Sequence, residues 1–169
     1  TATPGEDFPT MPMFIGDRVY RIPQHVVKNL IDTTVYAVGQ NDQRAAFNGA
    51  LFRIRNGELT VIGCDGNRLS AAKEDISATN PDAPDAEMII PGKFLGELTK
   101  LLKDSEDELT MMIGRKHIIF HIDNIYFFTR MLDTEYFDYE KLLPNSYQTQ
   151  AFVSRSELLG AIERASIVT

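Results

Sequence analysis

The chain has 169 residues, 43% hydrophobic and 24% charged, the composition of an ordinary soluble chain of one domain with extra pieces. No apolar run approaches the roughly 18 residues of a membrane span, no signal-peptide pattern opens the sequence, and Cys64, the only cysteine, excludes an intrachain disulfide and points to a reducing cytoplasm. A net charge of −7 and a pI near 4.9 argue against a protein that grips nucleic acid by bulk attraction.

Residues 1–12 carry Pro4, Pro9 and Pro12, which predicts an extended tail, the end of a preceding domain. From Val19 a short apolar strand stops at Pro23 and runs into an amphipathic helix. Its periodicity buries Val26, Val27, Leu30, Ile31 and Val35 and turns His25, Lys28, Asn29 and Asp32 outward. FNGALFRIRN, GELTVIGCD and NRLSAAK then read as a three-stranded meander, turning at Asn56-Gly57 and at Asp65-Gly66-Asn67. Residues 77–86, rich in Pro and Asp, read as a surface loop. The pattern then repeats. A strand ends at Pro91, and a helix follows with Phe94, Leu95, Leu98, Leu101 and Leu102 on one face and Lys93, Lys100 and Lys103 opposite, Glu97 among them. ELTMMIG, HIIFHI and IYFFTRML form the second meander, turning at Gly114-Arg115 and Asp123-Asn124. TEYFDYEKLLP echoes the earlier GEDFPTMP: acidic residues, an aromatic at Phe137 or Phe8, and a proline stop. Beyond it a third strand and helix begin, with Leu158, Leu159, Ala161, Ile162 and Ala165 on one helical face.

Registering Pro23, Pro91 and Ser154 aligns Val27, Leu95 and Leu158, and then Leu30, Leu98 and Ala161. The helix starts lie about 65 residues apart, longer than the about 20–50 residues of common solenoid repeats. The expected fold is therefore α+β: a duplicated unit of strand, helix and three-strand meander, with a further copy cut short after its helix.

Catalytic patterns are absent from the sequence. It holds no Gly-rich phosphate loop, no nucleophile elbow, and no His-rich or Cys-rich metal spacing. His117 and His121 share a strand face at i and i+4, but no third ligand stands nearby, so they read as two surface histidines and no metal or cofactor is expected. Asp65, followed by Gly66-Asn67 between two strands, reads as a hairpin residue rather than a nucleophile. The outward helix faces are only mildly basic, and taken alone they fit ordinary solvated surfaces.

Six segments carry a family resemblance: GEDFP at 5–9, DQRAAFNGALF at 42–52, CDGNRL at 64–69, MIIPGK at 88–93, ELTKLL at 97–102 and YFDYEKLLP at 136–144. In this order, along essentially the whole chain, they resemble the beta subunit of bacterial DNA polymerase III, the DNA sliding clamp family. The resemblance implies the DNA clamp fold, with helices on one side of antiparallel sheets. It also implies a division into residues 1–12 (connector of a preceding clamp domain), 13–146 (complete middle domain) and 147–169 (first strand and helix of a third). Family subunits close as ring-shaped homodimers around double-stranded DNA and act in the cytoplasm as processivity factors for DNA polymerase, not as enzymes. A ring needs only weak contact with its duplex, because strong phosphate neutralisation would hinder sliding.

Carried over by motif, the DNA-facing residues are Lys28, Asn41, Arg44, Lys93, Lys100, Lys103 and Arg164. Ala45 and Ala46 stand where family members carry aromatics, a departure that bears on stacking against unpaired bases. Short linear peptides of DNA polymerase, clamp loader and repair proteins are expected at Phe47, Cys64, Gly66, Asn67, Arg68, Leu69, Phe137, Lys141 and Leu142. Asn67 replaces a frequent His and Phe137 a usual Pro, and a bulkier Phe137 narrows the pocket. Leu69 and Leu142 taken alone also fit plain core leucines. A protein-interaction module that encircles no DNA has the same sequence signature.

Overall fold

The computed structural model describes residues 18–82, 84–143 and 146–167, so the tail at 1–12 lies outside the described residues. These residues divide into two compact units, the first running to Tyr136 and the second starting at Phe137.

In the first unit, β1 (Arg18–Pro23) leads without a linker into α1 (Gln24–Thr34), and β5 (Ala86–Pro91) leads in the same way into α2 (Gly92–Leu101). Pro23 and Pro91 stand immediately before the helices with ψ of 139° and 130°, still in strand geometry. Proline suits this junction because it ends a strand and presets the φ of a helix entry. The meanders are β2 (Gly49–Arg55), β3 (Glu58–Cys64) and β4 (Leu69–Asp75), then β6 (Glu108–Ile113), β7 (His117–Ile122) and β8 (Ile125–Arg130). Asn56 and Gly57, both at positive φ (51° and 78°), make the two-residue turn between β2 and β3.

The halves are interlocked. β1 pairs antiparallel with β6 of the second half, and β5 pairs with β2 of the first, giving sheets ordered β1-β6-β7-β8 and β5-β2-β3-β4. Read outward from the exchanged strand, each sheet has the same order. Inner-facing residues of both sheets, including Tyr20, Ile22, Phe52, Ile54, Ile90, Met111 and Phe120, join Val27, Leu30 and Ile31 of α1 and Leu95 and Leu98 of α2 in one core. The helices lie side by side, and the Thr99 hydroxyl donates to Asp32 Oδ1 at 2.6 Å.

Three details differ from the periodicity. Helix α2 stops at Leu101, so Leu102 is buried from an extended backbone and Lys103 lies in the following loop rather than on the helix face. That loop folds back on α1: Gln24 and His25 donate their backbone N–H groups to the carbonyls of Asp107 and Ser105, capping a helix whose own side chains do not. Gln24 is consequently buried, its Oε1 accepting the Lys103 N–H at 3.0 Å. The 77–86 loop is likewise pinned. Asn80, 8% exposed, accepts the Arg21 N–H at 2.9 Å and donates to the Arg21 carbonyl at 2.8 Å, as a neighbouring strand would. This satisfies both backbone groups of Arg21 on the outer edge of β1.

The segment after β8 straps the second sheet. Leu132 donates its N–H to the Ile89 carbonyl at 2.9 Å, and the hydroxyl of the half-buried Tyr136 donates to the Ile62 carbonyl at 3.2 Å. Beneath it runs a cross-strand row, Ile89, Leu51 and Ile62, no more than 4% exposed on the face turned away from the main core.

The second unit contains a 3₁₀ turn (Tyr139–Leu142) and α3 (Arg155–Ala165), whose C-terminal side is described to Ile167. The apolar face anticipated for α3 is present but uncovered, with Leu158, Leu159 and Ile162 exposed by 48%, 44% and 56%.

Two outcomes are expected. Asn80→Ala removes a buried partner of β1 and should destabilise the first unit by about 1–3 kcal/mol in urea unfolding. An α-helix of eleven residues with nothing buried is marginal in water, so α3 amides should exchange with solvent far faster than those of α1 in a hydrogen-exchange experiment.

Candidate functional site

Two surfaces of the first unit gather the residues singled out by motif. The first forms around the hairpin joining β3 to β4. Cys64 and Leu69 close the ladder, and Asp65 to Arg68 make the loop. Asp65 Oδ1 accepts the N–H groups of Asn67 and Arg68 at 2.9 and 3.0 Å, while Oδ2 takes Arg68 Nε at 3.0 Å. These backbone hydrogen bonds are the main reason its carboxyl is held below the usual range. The assignment of Asp65 to turn chemistry follows directly. Gly66 sits at φ +88°, a conformation suited to glycine, and donates its N–H to Cys64 Sγ at 3.3 Å.

Phe47 comes to this hairpin from the 3₁₀ turn Ala45–Asn48, fixed by its carbonyl accepting the Gly39 N–H at 2.7 Å. Phe47 is 7% exposed, and the Arg44 guanidinium lies over its ring, 3.9 Å from the centroid. Arg44 also approaches Gly66: a Cβ there would stand 3.1 Å from an Arg44 terminal nitrogen. Phe47, Cys64, Gly66 and Arg44 therefore form one cluster, with Cys64 buried and Leu69 half-buried beside it. Asn67 and Arg68 are exposed. In the second unit, Phe137 is half-buried, Leu142 is 58% exposed, and Lys141 Nζ pairs with Asp138 at 2.9 Å. That exposure removes the plain-core reading of Leu142.

The second surface, the α1–α2 groove, has a volume of about 810 Å³ and lies between the turn and loop that follow α1, residues 35–41, and one side of α2. It brings together Asn41, Lys93 and Lys100, with Tyr36, Gln40 and Glu97 on its walls. Lys28, half-buried on α1, and Lys103 do not line it. Arg164 is exposed in the last turn of α3. Much of the positive charge is already matched: Lys100 pairs with Glu97 at 2.8 Å, Lys103 with Asp123 at 2.8 Å, and Arg44 with Asp42 at 3.1 Å.

Sequence reasoning missed Asp42, which grips Arg44 from two residues away, and Tyr136, which anchors the strap. Asp42 stood inside a motif, and an Asp shortly before an Arg in a loop is the signal that could have exposed it. His117 and His121 remain separate surface groups, His121 stacking on Tyr126 with ring centroids 4.1 Å apart. No group of three or more His, Cys, Asp or Glu positioned for a metal occurs among the described residues, and no helix among them is long and apolar enough to cross a membrane.

Both surfaces stand on one duplicated α+β domain with exchanged first strands. The profile of the family described as DNA polymerase III beta subunit, central domain, matches residues 21–138, and the chain belongs to that family. It is 32% identical over 163 residues to the Beta sliding clamp of Bacillus subtilis, covering 96% of this chain and 43% of that protein. The Beta sliding clamp of Halalkalibacterium halodurans is 30% identical over 164 residues, with 97% and 43% covered. Among solved structures, the DNA polymerase sliding clamp from Bacillus subtilis superposes with a TM-score of 0.89 at 32% identity, covering 97% of this chain and 43% of that one. A Pseudomonas aeruginosa sliding clamp bound to griselimycin gives 0.86 at 30% identity, with 98% and 44% covered. The chain thus spans less than half the length of these relatives.

The depressed carboxyl groups fix a pH dependence. Asp42 and Asp65 both sit below their ordinary value, Asp42 mainly through its hydrogen bonds with Arg44. A carboxyl lowered on folding contributes stability above its unfolded value, and that contribution disappears as pH falls through the folded one. Carbon-detected NMR titration should place both midpoints below the usual aspartate value of about 3.9. The Asn67 and Arg68 amide signals should shift with the Asp65 midpoint.

Proposed function

We propose that this chain is the central part of a DNA sliding clamp: a non-catalytic processivity subunit that tethers a DNA polymerase to double-stranded DNA and docks short partner peptides. The observation that carries the proposal is the match in fold to sliding clamps over nearly the whole chain, at 32% identity and a TM-score of 0.89. In this reading residues 13–146 are the middle clamp domain, 1–12 the connector before it and 147–169 the start of a third domain. The whole protein closes into a ring-shaped homodimer in the cytoplasm.

The α1–α2 groove with Asn41, Lys93 and Lys100, together with Lys28, Lys103, Arg44 and Arg164, is the DNA-facing share. Its charge pairs leave a weak electrostatic hold, which supports retention by encirclement over tight phosphate contact. The loop cluster of Phe47, Cys64, Gly66, Asn67, Arg68 and Leu69 is the first unit's peptide-docking share, and the family motif assigns Phe137, Lys141 and Leu142 of the second unit to peptide docking as well. Peptides of the polymerase, the clamp loader and repair proteins bring apolar anchors to it.

A chimera tests the proposal. Residues 18–136 replace the corresponding segment of the Bacillus subtilis clamp, and the product is loaded on nicked circular DNA. It should remain bound at high salt and be lost once the circle is linearised. Equal retention on circular and linear DNA would remove encirclement and leave an interaction module, and failure of an apolar peptide to bind would remove docking.

A further inference from the structure

The bonds that set the loop over Phe47 converge on Asp42. Its carboxylate accepts the Arg44 backbone N–H at 2.8 Å, Arg44 Nε at 3.1 Å and a terminal guanidinium nitrogen at 3.2 Å. The Asp42 N–H donates to Asn48 Oδ1 at 2.8 Å, and Asn48 Nδ2 returns a bond to the Asp42 carbonyl at 2.8 Å. The guanidinium is thereby seated over the Phe47 ring and beside the Gly66 turn.

Two consequences follow for anything that lands there. The Phe47 ring is reached only beside or beneath Arg44, so Arg44 acts as a cover. The charge of that cover is also cancelled where it stands. The same pairing recurs across the turn, where Arg68 is held by Asp65 at 3.0 Å. An incoming carboxylate meets as much negative as positive charge at both cations.

We propose that Asp42 is a specificity determinant of the peptide-docking surface: by holding Arg44 over Phe47 and neutralising it, Asp42 makes that surface favour neutral apolar anchors over acidic ones. This rests on the peptide-docking reading. An arginine keeps its charge at any physiological pH, and its fork matches a carboxylate bidentately. Once its internal partner is gone, Arg44 presents that fork at the mouth of the cluster. Asp42→Asn is the suitable change, because its amide oxygen can still accept the Arg44 backbone N–H and hold the loop.

The test titrates two synthetic peptides into the full chain, followed by NMR. Both carry Gln-Leu and a terminal Leu-Phe, one flanked by Ser and the other by Asp. The unaltered chain should bind the neutral peptide at least as well as the acidic one. Asp42→Asn should bind the acidic peptide about fivefold more tightly, the equivalent of an exposed ion pair's roughly 1 kcal/mol, a gain the neutral peptide does not match. The gain should vanish near 1 M salt, where the screening length is about 3 Å, and in the double variant Asp42→Asn/Arg44→Leu. Equal gains for both peptides, no gain for either, or a gain that survives Arg44→Leu would overturn the assignment of Asp42 while leaving docking intact. Neutral peptide failing to bind the unaltered chain would overturn docking itself, and this assignment with it.

Discussion

The exchange of first strands between halves is the constraint from which the rest of the first unit follows. β1 completes the sheet of the second meander and β5 that of the first, so neither half can close its core alone. Because each exchanged strand passes into its helix across one proline, the register of β1 on β6 and of β5 on β2 also places α1 and α2. Pro23 sits opposite Glu108 and Pro91 opposite Gly49, at the last rung of each ladder, where a missing N–H costs least. Gly49 is itself constrained there: a Cβ would stand 2.7 Å from the Ile90 carbonyl and 2.9 Å from a Leu132 methyl. Gly63 plays a related part, since a Cβ would collide with the Thr34 carbonyl at the end of α1.

With this framework shared, the halves diverge on their outer faces. The row Ile89, Leu51, Ile62 and Ala71 on one sheet corresponds by register to Arg21, Thr110, His121 and Tyr126 on the other. The first row is mostly aliphatic and must be kept from water, and the strap ending at Tyr136 does this. The second row is polar or aromatic and stays solvated without cost. One duplicated scaffold thus yields one strapped and one open sheet. The strapped sheet also supplies the hairpin on which the loop cluster stands. Burial in that strap raises the Tyr136 phenol well above its ordinary value, which favours the protonated hydroxyl that donates to Ile62.

What the sequence revealed and what it concealed divide along physical lines. Element order, helix starts and turns were legible because Pro23, Pro91, Asn56-Gly57 and the apolar stripes act within a few residues of themselves. Strand exchange was not, since alternation shows which face a residue takes but not which strand lies beside it. Asn80 and Gln24 looked like loop and surface residues because their partners, Arg21 and Lys103, lie 59 and 79 positions away. Lys103 was placed on a helix that ends before it, the apolar periodicity continuing through Leu102 after the backbone has turned. At the site, motifs supplied the residue identities; Phe47, Cys64 and Gly66 lie together, and Arg44, expected among the DNA-facing residues, lies with them. The pairing of their cations with nearby carboxylates was hidden, because each pair depends on loop geometry.

Those pairs alter what net charge means for this chain. A value of −7 suggests repulsion from DNA as a uniform property, yet the relevant quantity is local. In the α1–α2 groove Lys100 is balanced by Glu97, while Lys93 forms no ion pair among the described residues. Exposed pairs of this kind contribute little to stability, a median of about 0–1 kcal/mol. On the proposed clamp reading, pairs this weak would exchange for a passing phosphate at little cost to the fold. A surface of free lysines would bind more tightly and release more counterions. If the proposed ring holds the duplex by encirclement, that extra affinity would add drag without improving retention.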